Sequence, residues 1–389
     1  MSDAARNAPL AHYISREPFD PYAVETMTAE QERYFMASQW TMMWWKLRRH
    51  RVAVWSGLIL LVFYVSIFIS EMLAPYHVHT RDPYHLFAPP QSIRMFHDGQ
   101  LTAPFVYRYK SELDLEKMQW LYSEDHTQVD KLRYFCLGDS YHFWGAIEGR
   151  FHFVCPAEGG TFFWLGTDRL GRDIWSRIIY GARISLTVGL IGVAVSFGLG
   201  IVLGGLAGYY GGMIDAVVQR SIEILRSLPN LPLWMALGAA LPVDWSPIIV
   251  FFGITIILGL LDWTGLARSV RSKLLALREE DFCTAAILMG APPSRIIFRH
   301  LMPSFMSHLI ASATLAIPGM ILGETALSFL GLGLRPPITS WGVLLNEAQN
   351  INAVAVYPWL LYPVIPVIVI ILALNFFGDG LRDAADPYK

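Results

Sequence analysis

Long apolar segments alternate with polar segments over most of the chain, and this alternation predicts the fold. A helix needs about 20 apolar residues to cross the roughly 30 Å hydrocarbon core of a bilayer. Six segments reach or approach this length: 52–73, 184–206, 215–241, 248–266, 304–322 and 359–377. An extension of the fifth to Leu330 also fits the pattern, and Pro229 and Pro232 interrupt the third. The pattern predicts an all-α membrane protein with six transmembrane helices, the first at 52–73.

The composition supports a membrane protein. Hydrophobic residues make up 54% of the 389 residues and charged residues 16%, far from the averages of soluble domains. The net charge is -2 and there is no large basic patch, which argues against nucleic acid as a partner. The expected surroundings are membrane lipid.

Two clusters of basic residues orient the helices, because cytoplasmic segments of membrane proteins carry an excess of Lys and Arg. One cluster precedes the first helix and the other follows the fourth: Lys46, Arg48, Arg49 and Arg51, then Arg268, Arg271, Lys273 and Arg278. They predict a cytoplasmic N-terminal segment at 1–51, a cytoplasmic loop at 279–303 and a cytoplasmic C-terminus. Residues 75–164 then lie outside.

The outer segment has aromatic and β-prone stretches separated by turn residues, without an apolar run of membrane-spanning length. It predicts a small folded insertion of mixed strand and helix. Cys136 and Cys155 lie here, and an oxidising compartment favours a disulfide between them; two buried free thiols are the alternative. The histidines of the segment show no metal-ligand spacing, so no metal site is predicted.

Residues 165–389 form the predicted core domain. It begins with 165–183, where apolar residues recur at helical spacing between charges and predict an amphipathic helix on the outer membrane surface. Charges within apolar segments are costly and mark candidate functional positions. Glu223 and Arg226 fit either an anchor at the inner surface or the lining of a transport pathway, and Glu324 is a third lining candidate.

The cytoplasmic loop, EEDFCTAAILMGAPPSRIIFRHLMP, is a polar island between two apolar segments. Acids at its start suit the first turn of a helix, Ala285 and Ala286 permit close approach to the backbone, and Gly290 permits a sharp turn. Prolines then open a second helix, which carries Arg295 and Arg299 on one face. The loop predicts two short helices at a bend that docks another protein; an ordinary connection between membrane helices is the alternative.

Catalytic motifs are missing from the sequence. It contains no GxxxxGK[ST] phosphate loop, no GxSxG elbow and no CxxC, and its apolar segments lack the several acids of a proton relay. No catalytic residue and no cofactor are assigned to this chain. The combination predicts a translocation subunit driven by a separate ATPase, with a membrane sensor or assembly scaffold as the alternative.

The cytoplasmic loop resembles that of the permease subunits of binding-protein-dependent ABC importers. The family pattern is Glu-Ala-Ala, three residues, Gly, nine residues, then Ile-x-Leu-Pro. The chain keeps this spacing from Ala285 through Gly290 to Pro303, but has Thr284 in place of Glu and His300 in place of Ile. The resemblance assigns ATPase coupling to seven residues: Asp281, Thr284, Ala285, Ala286, Gly290, Arg295 and Arg299.

Further segments resemble the dipeptide and oligopeptide branch of that family, in its C-type subunit. They are LGTDRLGRDIWSRIIYGARIS, GYYGG, IIFRHLMP, ETALSFLGLGL and RDAADP, in this order over 165–389. The resemblance implies a type I importer permease fold with an enlarged first periplasmic loop, in the bacterial inner membrane. It implies a companion permease, two ATPase subunits or domains that bind ATP and Mg, and a periplasmic binding protein. The implied substrate is a short peptide, with nickel or another small solute as the alternative, moved by alternating access.

Overall fold

The computed structural model describes residues 36–97, 100–116, 119–145, 147–242 and 244–385. Most of the predicted N-terminal segment therefore lies outside the described residues. The protein is mainly helical and carries one region of strands. The helices that precede that region are α1 (Gln39–Arg49), α2 (Arg51–Phe68) and α3 (Ser70–Leu73). The strands are β1 (Arg94–His97), β2 (Gln100–Asp114), β3 (Gln119–Lys131), β4 (Arg133–Phe143) and β5 (Ile147–Cys155).

The remaining chain is helical. Its first part comprises α4 (Ile174–Tyr210), α5 (Gly212–Ser227), α6 (Asn230–Ala239), α7 (Pro247–Leu277) and α8 (Asp281–Leu288). Next come α9 (Pro293–Arg295), a π-helical segment (Ile296–Leu301), α10 (Met302–Ser304) and α11 (Met306–Phe329). The last part comprises α12 (Trp341–Glu347), α13 (Ile351–Val356), a 3-10 segment (Pro358–Leu361) and α14 (Val364–Ala385).

Within the described residues, five helices are long and apolar enough to cross a membrane: Arg51–Phe68, Ile174–Tyr210, Pro247–Leu277, Met306–Phe329 and Pro358–Ala385. The chain is a multi-pass membrane protein. We call the end of the helix bundle that carries the strands the insertion end, and the end that carries 279–303 the loop end. Helices α1, α2 and α14 meet at the loop end, where Leu47, Ala53 and Ala384 are buried together.

The predicted third transmembrane segment, 215–241, is not one continuous helix, and the interruption predicted at Pro229 is present. This stretch is divided between α5 and α6, and the break falls at Leu228 and Pro229, both in extended conformation. Proline has no backbone N–H and disfavours helical geometry in the residue before it. Pro229 therefore ends one helix and caps the next.

The predicted surface helix at 165–183 is also corrected. Residues 165–173 form turns and an isolated bridge between Thr167 and Asp173, and helix α4 begins only at Ile174. From there α4 continues without a break for 37 residues, about 55 Å at 1.5 Å per residue. Asp173 caps it by accepting a hydrogen bond from the Ser176 amide. The amphipathic stretch is thus partly a turn and partly the first turns of a spanning helix.

Helices α4 and α7 pack closely along their length. A Cβ on Gly204 would lie 2.4 Å from the carbonyl oxygen of Ala267, so glycine is required at that crossing. One apolar core lies toward the insertion end and includes Leu186, Ile321, Trp341 and Ile370. Another lies at the loop end around Leu274 and Leu301. Helices α4 and α11 contribute apolar residues to both cores and so connect the two ends of the bundle.

The described part of the insertion contains strands and turns, so the expectation of mixed strand and helix is corrected. Strands β1, β2 and β3 form one antiparallel sheet, and β4 pairs with β5 in a second. Alternating aromatic and polar residues fit strands, because successive side chains point to opposite faces. A disulfide joins Cys136 of β4 to Cys155 of β5, with their Cα atoms 6.2 Å apart.

Candidate functional site

The first half of the 279–303 loop is a short helix that ends in a glycine bend. Helix α8 ends at Leu288 with Met289 as its C-cap, and Gly290 has a left-handed φ of 74°. The Gly290 amide donates to the Ile287 carbonyl at 2.9 Å and the Ala291 amide donates to the Ala286 carbonyl at 3.1 Å. This pair of bonds is a Schellman motif, in which glycine is the residue that tolerates the left-handed position. The predicted helix and bend are both present.

The second half of the loop is a helical turn of varied pitch. It runs from α9 through the π-helical segment into α10. Ile296 and Leu301 point inward and are fully buried, whereas Arg295 and Arg299 are exposed. The arginines are therefore available to a partner, as the sequence suggested.

The inner side of the loop is attached to two spanning helices. Cys283, Ala286, Ile296 and Leu301 belong to one buried apolar cluster with residues of α7 and with the start of α11, such as Leu309. Ala286 is buried, so the prediction that it docks a partner is corrected: it packs inside the chain. Its exposed neighbour Ala285 is the residue of the pair that a partner can reach.

The outer side of the loop exposes an apolar stripe that sequence reasoning missed. We call Phe282, Ala285, Leu288 and Met289 the loop face. Leu288 and Met289 are 82% and 81% exposed, and the four positions recur at three- and four-residue spacing on one side of α8. The recurrence of apolar residues at this spacing, within a polar segment, was the signal in the sequence that could have revealed the stripe. The predicted coupling residues Asp281 and Thr284 are exposed beside this stripe, so a partner would meet an apolar ridge with polar edges.

The pathway candidates occupy different environments. Glu223 is exposed on α5 and pairs with Arg220 at 2.8 Å. The Arg226 guanidinium donates to the Thr264 hydroxyl at 3.3 Å and so links α5 to α7. Glu324 is fully buried in the part of the chain that the structure describes, so its prediction as a lining residue is corrected.

Glu324 holds together three elements at the insertion end. Its carboxylate accepts hydrogen bonds from the hydroxyls of Ser185, Ser328 and Ser340 at 3.0, 2.8 and 2.8 Å. Each hydroxyl oxygen in turn accepts a backbone amide, from Trp341, Leu334 and Val343 respectively. A buried carboxylate is tolerated when its oxygens are hydrogen-bonded in this way. The arrangement fixes the 330–347 connection to α4 and α11.

A second buried polar cluster joins the root of the insertion to α12. Arg172 donates to Asp168 at 2.7 Å and to Glu347 at 3.0 Å. Arg177 donates to Glu347 at 2.6 Å and also pairs with Asp168. We call these four residues the ion cluster. Burial raises the pKa of Glu347, but the hydrogen bonds and charges of the two arginines outweigh it and hold that pKa below its usual value.

The ion cluster was not predicted, because its members are distant in the sequence. Asp168 and Arg177 lie in the 165–183 stretch, for which the sequence predicts a surface helix, whereas Glu347 lies between the predicted fifth and sixth spanning helices. The non-helical turn TDRLGRD brings Asp168 close to Arg177. Helix α12 places Glu347 beside them, although Glu347 lies 170 residues after Arg177 in the sequence. The cluster makes the insertion root and α12 one rigid unit.

Asp173, next to the ion cluster, gives stability a pH dependence. Its Oδ2 accepts the Ser176 amide at 2.8 Å and hydroxyl at 2.7 Å, while its buried Oδ1 has no hydrogen-bond partner among the described residues. Burial raises the pKa of Asp173 to about 7, although the bonds from Ser176 act against that rise.

A carboxyl group whose pKa is raised by folding contributes stability that is complete below its pKa in the unfolded state and is lost as pH rises through its pKa in the folded state. We expect wild-type stability to fall more between about pH 5 and pH 8 than that of Asp173→Asn, measured by thermal unfolding at both pH values. Equal pH slopes would contradict this assignment.

Comparisons with known proteins match most of the helical chain. Residues 200–388 match the model of the family "Binding-protein-dependent transport system inner membrane component". Residues 38–90 match that of the N-terminal transmembrane domain of oligopeptide transport permease C. The sheets of the insertion lie between the two matched ranges.

Relatives of known name agree with these matches. The oligopeptide transport system permease protein of Haemophilus influenzae is 41% identical over 231 residues, which are 59% of this chain and 71% of the relative. The dipeptide transport system permease protein of Bacillus subtilis is 39% identical over 224 residues, 58% of this chain and 68% of the relative. Among solved structures, an inward-facing MetNI methionine ABC transporter aligns with a TM-score of 0.40 and 22% identity, over 54% of this chain and 96% of that one.

Proposed function

Since this chain belongs to the family of inner membrane components of binding-protein-dependent transport systems, we propose that it is a permease subunit of an ATP-driven importer of short peptides. The names of its relatives, permeases of dipeptide and oligopeptide transport systems, support the substrate class. The loop face is the observation that carries the proposal. It is an apolar ridge on a short helix, free to bind a partner, in a chain whose sequence has no phosphate loop.

In the proposed complex, this subunit moves substrate and its partners supply the energy. Two ATPase subunits or domains bind ATP and Mg, and they contact the loop face together with Arg295 and Arg299. Basic residues at the loop end support a cytoplasmic location for this end and for both termini. A companion permease completes the pathway, and a periplasmic binding protein delivers the peptide at the insertion end. No catalytic role is assigned to this chain.

The contacts of the loop support a mechanical route for coupling. A displacement of α8 would carry α7 and α11 with it, because Cys283, Ala286, Ile296 and Leu301 are packed between them. Helix α11 also contains Glu324, whose hydroxyl network holds the 330–347 connection at the opposite end. Movement at the loop end would thus reach the insertion end through one helix. Alternating access of the pathway follows from such a transmitted movement.

Reconstitution tests this function directly. The chain would be co-expressed with the companion permease and ATPases encoded by the same source, purified by a tag on this chain, and placed in vesicles with the binding protein. We expect the ATPases to co-purify and labelled short peptides to accumulate only with ATP. Accumulation of nickel or another small solute instead of peptides would correct the substrate class. Purification of the tagged chain without ATPases would contradict the importer assignment and favour a sensor or scaffold.

A further inference from the structure

The turn between β4 and β5 is fixed beside the end of the first spanning helix. Trp144 in this turn donates its indole N–H to the carbonyl oxygen of Phe68, the last residue of α2, at 3.3 Å. Its backbone amide donates to the Glu71 carboxylate, also at 3.3 Å. The hairpin tip therefore lies at the level where α2 ends.

A second spanning helix holds the tip in the same place. The Arg183 guanidinium of α4 lies 4.4 Å from the centre of the Trp144 ring. The same guanidinium donates to Glu71 at 2.7 Å and to the Ile67 carbonyl at 3.2 Å. Glu71 is buried and paired, so the position of the tip is set by a satisfied polar contact between α2, α3 and α4.

The tip extends the exposed apolar surface of α2. Leu61, Val65 and Phe68 form an exposed stripe at four- and three-residue spacing on α2, and Phe68 is 60% exposed. The Phe68 ring lies 5.8 Å from that of Trp144, which is 49% exposed, and Ile147 beyond it is 66% exposed. The apolar stripe of a spanning helix thus continues onto the hairpin at Trp144, and Ile147 adds a further exposed apolar side chain near the tip.

Polar residues limit how far such a surface can enter the bilayer. His142 and Glu148 face each other one pair further along the hairpin from Phe143 and Ile147, and both are exposed. Charged groups are costly in the hydrocarbon core but not among lipid headgroups. Tryptophan is enriched at this boundary because its ring is apolar and its N–H polar. If the hairpin tip lies at the level of the headgroups, its apolar residues contact lipid while His142 and Glu148 stay in a polar environment.

We propose that the β4–β5 hairpin tip, Trp144 and Ile147, inserts into the lipid headgroup boundary on the insertion side of the membrane and anchors the insertion there. The occupant of this surface is the bilayer itself, continuous with the lipid around α2. The anchor restrains the insertion in addition to its covalent link to α2 and the ion cluster. It does not depend on what the permease transports.

Site-specific fluorescence tests the anchor. Single cysteines would be introduced as Ile147→Cys and, as a matched control, Leu137→Cys, in a Cys283→Ser background that leaves the Cys136–Cys155 disulfide intact. Leu137 is a 73% exposed apolar residue of the same hairpin. It lies six residues before Phe143, about 20 Å along the strand at 3.3 Å per residue. Each variant would carry an environment-sensitive fluorophore and be measured in the complete complex in phospholipid nanodiscs.

Nitroxide-labelled phospholipids and aqueous iodide distinguish the outcomes. We expect the lipid nitroxide to quench the label at 147 several-fold more than the label at 137, and iodide to do the reverse. Strong iodide quenching at both positions would place the tip in water and overturn the proposal. Protection of the label at 147 from both quenchers would show that protein covers the tip, and would overturn it as well.

Discussion

Replacing Arg177 with methionine is expected to lower the free energy of unfolding by about 3–5 kcal/mol, because the change leaves carboxylates buried without their main counter-charge. Arg177 is itself buried and bonds both Asp168 and Glu347. Arg172 remains, but one guanidinium then faces the buried Asp168 carboxylate and the partly buried Glu347 carboxylate. The loss would be measured as a fall in the thermal unfolding midpoint of the purified chain in detergent or nanodiscs. Because the ion cluster joins the insertion root to α12, the insertion should become sensitive to protease first.

Two further variants test whether the loss of stability comes from the buried ion pairs rather than from removal of an arginine as such. Arg220 pairs with Glu223 on the surface of α5, and Arg220→Met should cost at most about 1 kcal/mol. Combining Arg177→Met with Glu347→Gln removes both charges together and should recover a large part of the lost stability. A single Arg177→Met variant as stable as the Arg220→Met control would show that the ion cluster is solvated rather than buried.

The ion cluster also shows why part of this protein could not be read from its sequence. The lengths of the apolar segments predicted the membrane class and located five spanning helices, because this signal depends only on the residues within each segment. At 215–241 the apolar run does not show where the helices end, but Pro229 does, and the break falls there. The same signal failed at Asp168 and Arg177, whose common partner Glu347 is brought near only by the tertiary fold. Long-range polar contacts leave no periodic signal.

In the candidate site, too, the local features were predictable from the sequence and the features that depend on tertiary contacts were not. The bend at Gly290 was predictable because its requirement is local: a left-handed residue must follow a short helix. Glu324 was misread because an acid in an apolar segment resembles a pathway residue until three serine hydroxyls converge on it. Ala285 and Ala286 were indistinguishable in sequence, and only packing against α7 and α11 showed that Ala286 points inward. In the proposed docking, the unanticipated apolar loop face would supply contacts in place of the family Glu that Thr284 replaces.

Gly290→Pro is expected to uncouple ATP hydrolysis from peptide uptake while the subunit remains in the membrane. Proline requires a φ near −65°, opposite to the 74° found here, and it removes the amide that donates to Ile287. Backbone strain of about 1–3 kcal/mol corresponds to a roughly 5- to 150-fold loss of the docking-competent loop. Uptake into reconstituted vesicles should fall within that range, and ATP consumed per peptide should rise.

Two further variants isolate the cause. A Cβ at Gly290 would meet no atom within 4 Å, so Gly290→Ala adds only backbone strain and should reduce uptake less than proline does. Gly159 has a similar φ of 71° and equally open surroundings, but it lies in the insertion. Gly159→Pro therefore imposes the same conflict at the opposite end of the bundle and should leave the ratio of ATP hydrolysis to uptake unchanged. If Gly159→Pro changed that ratio as much as Gly290→Pro, or if Gly290→Pro transported normally, the bend at Gly290 would not be the coupling element. A graded order of uptake, glycine above alanine above proline at position 290 alone, instead requires that coupling pass through this left-handed residue.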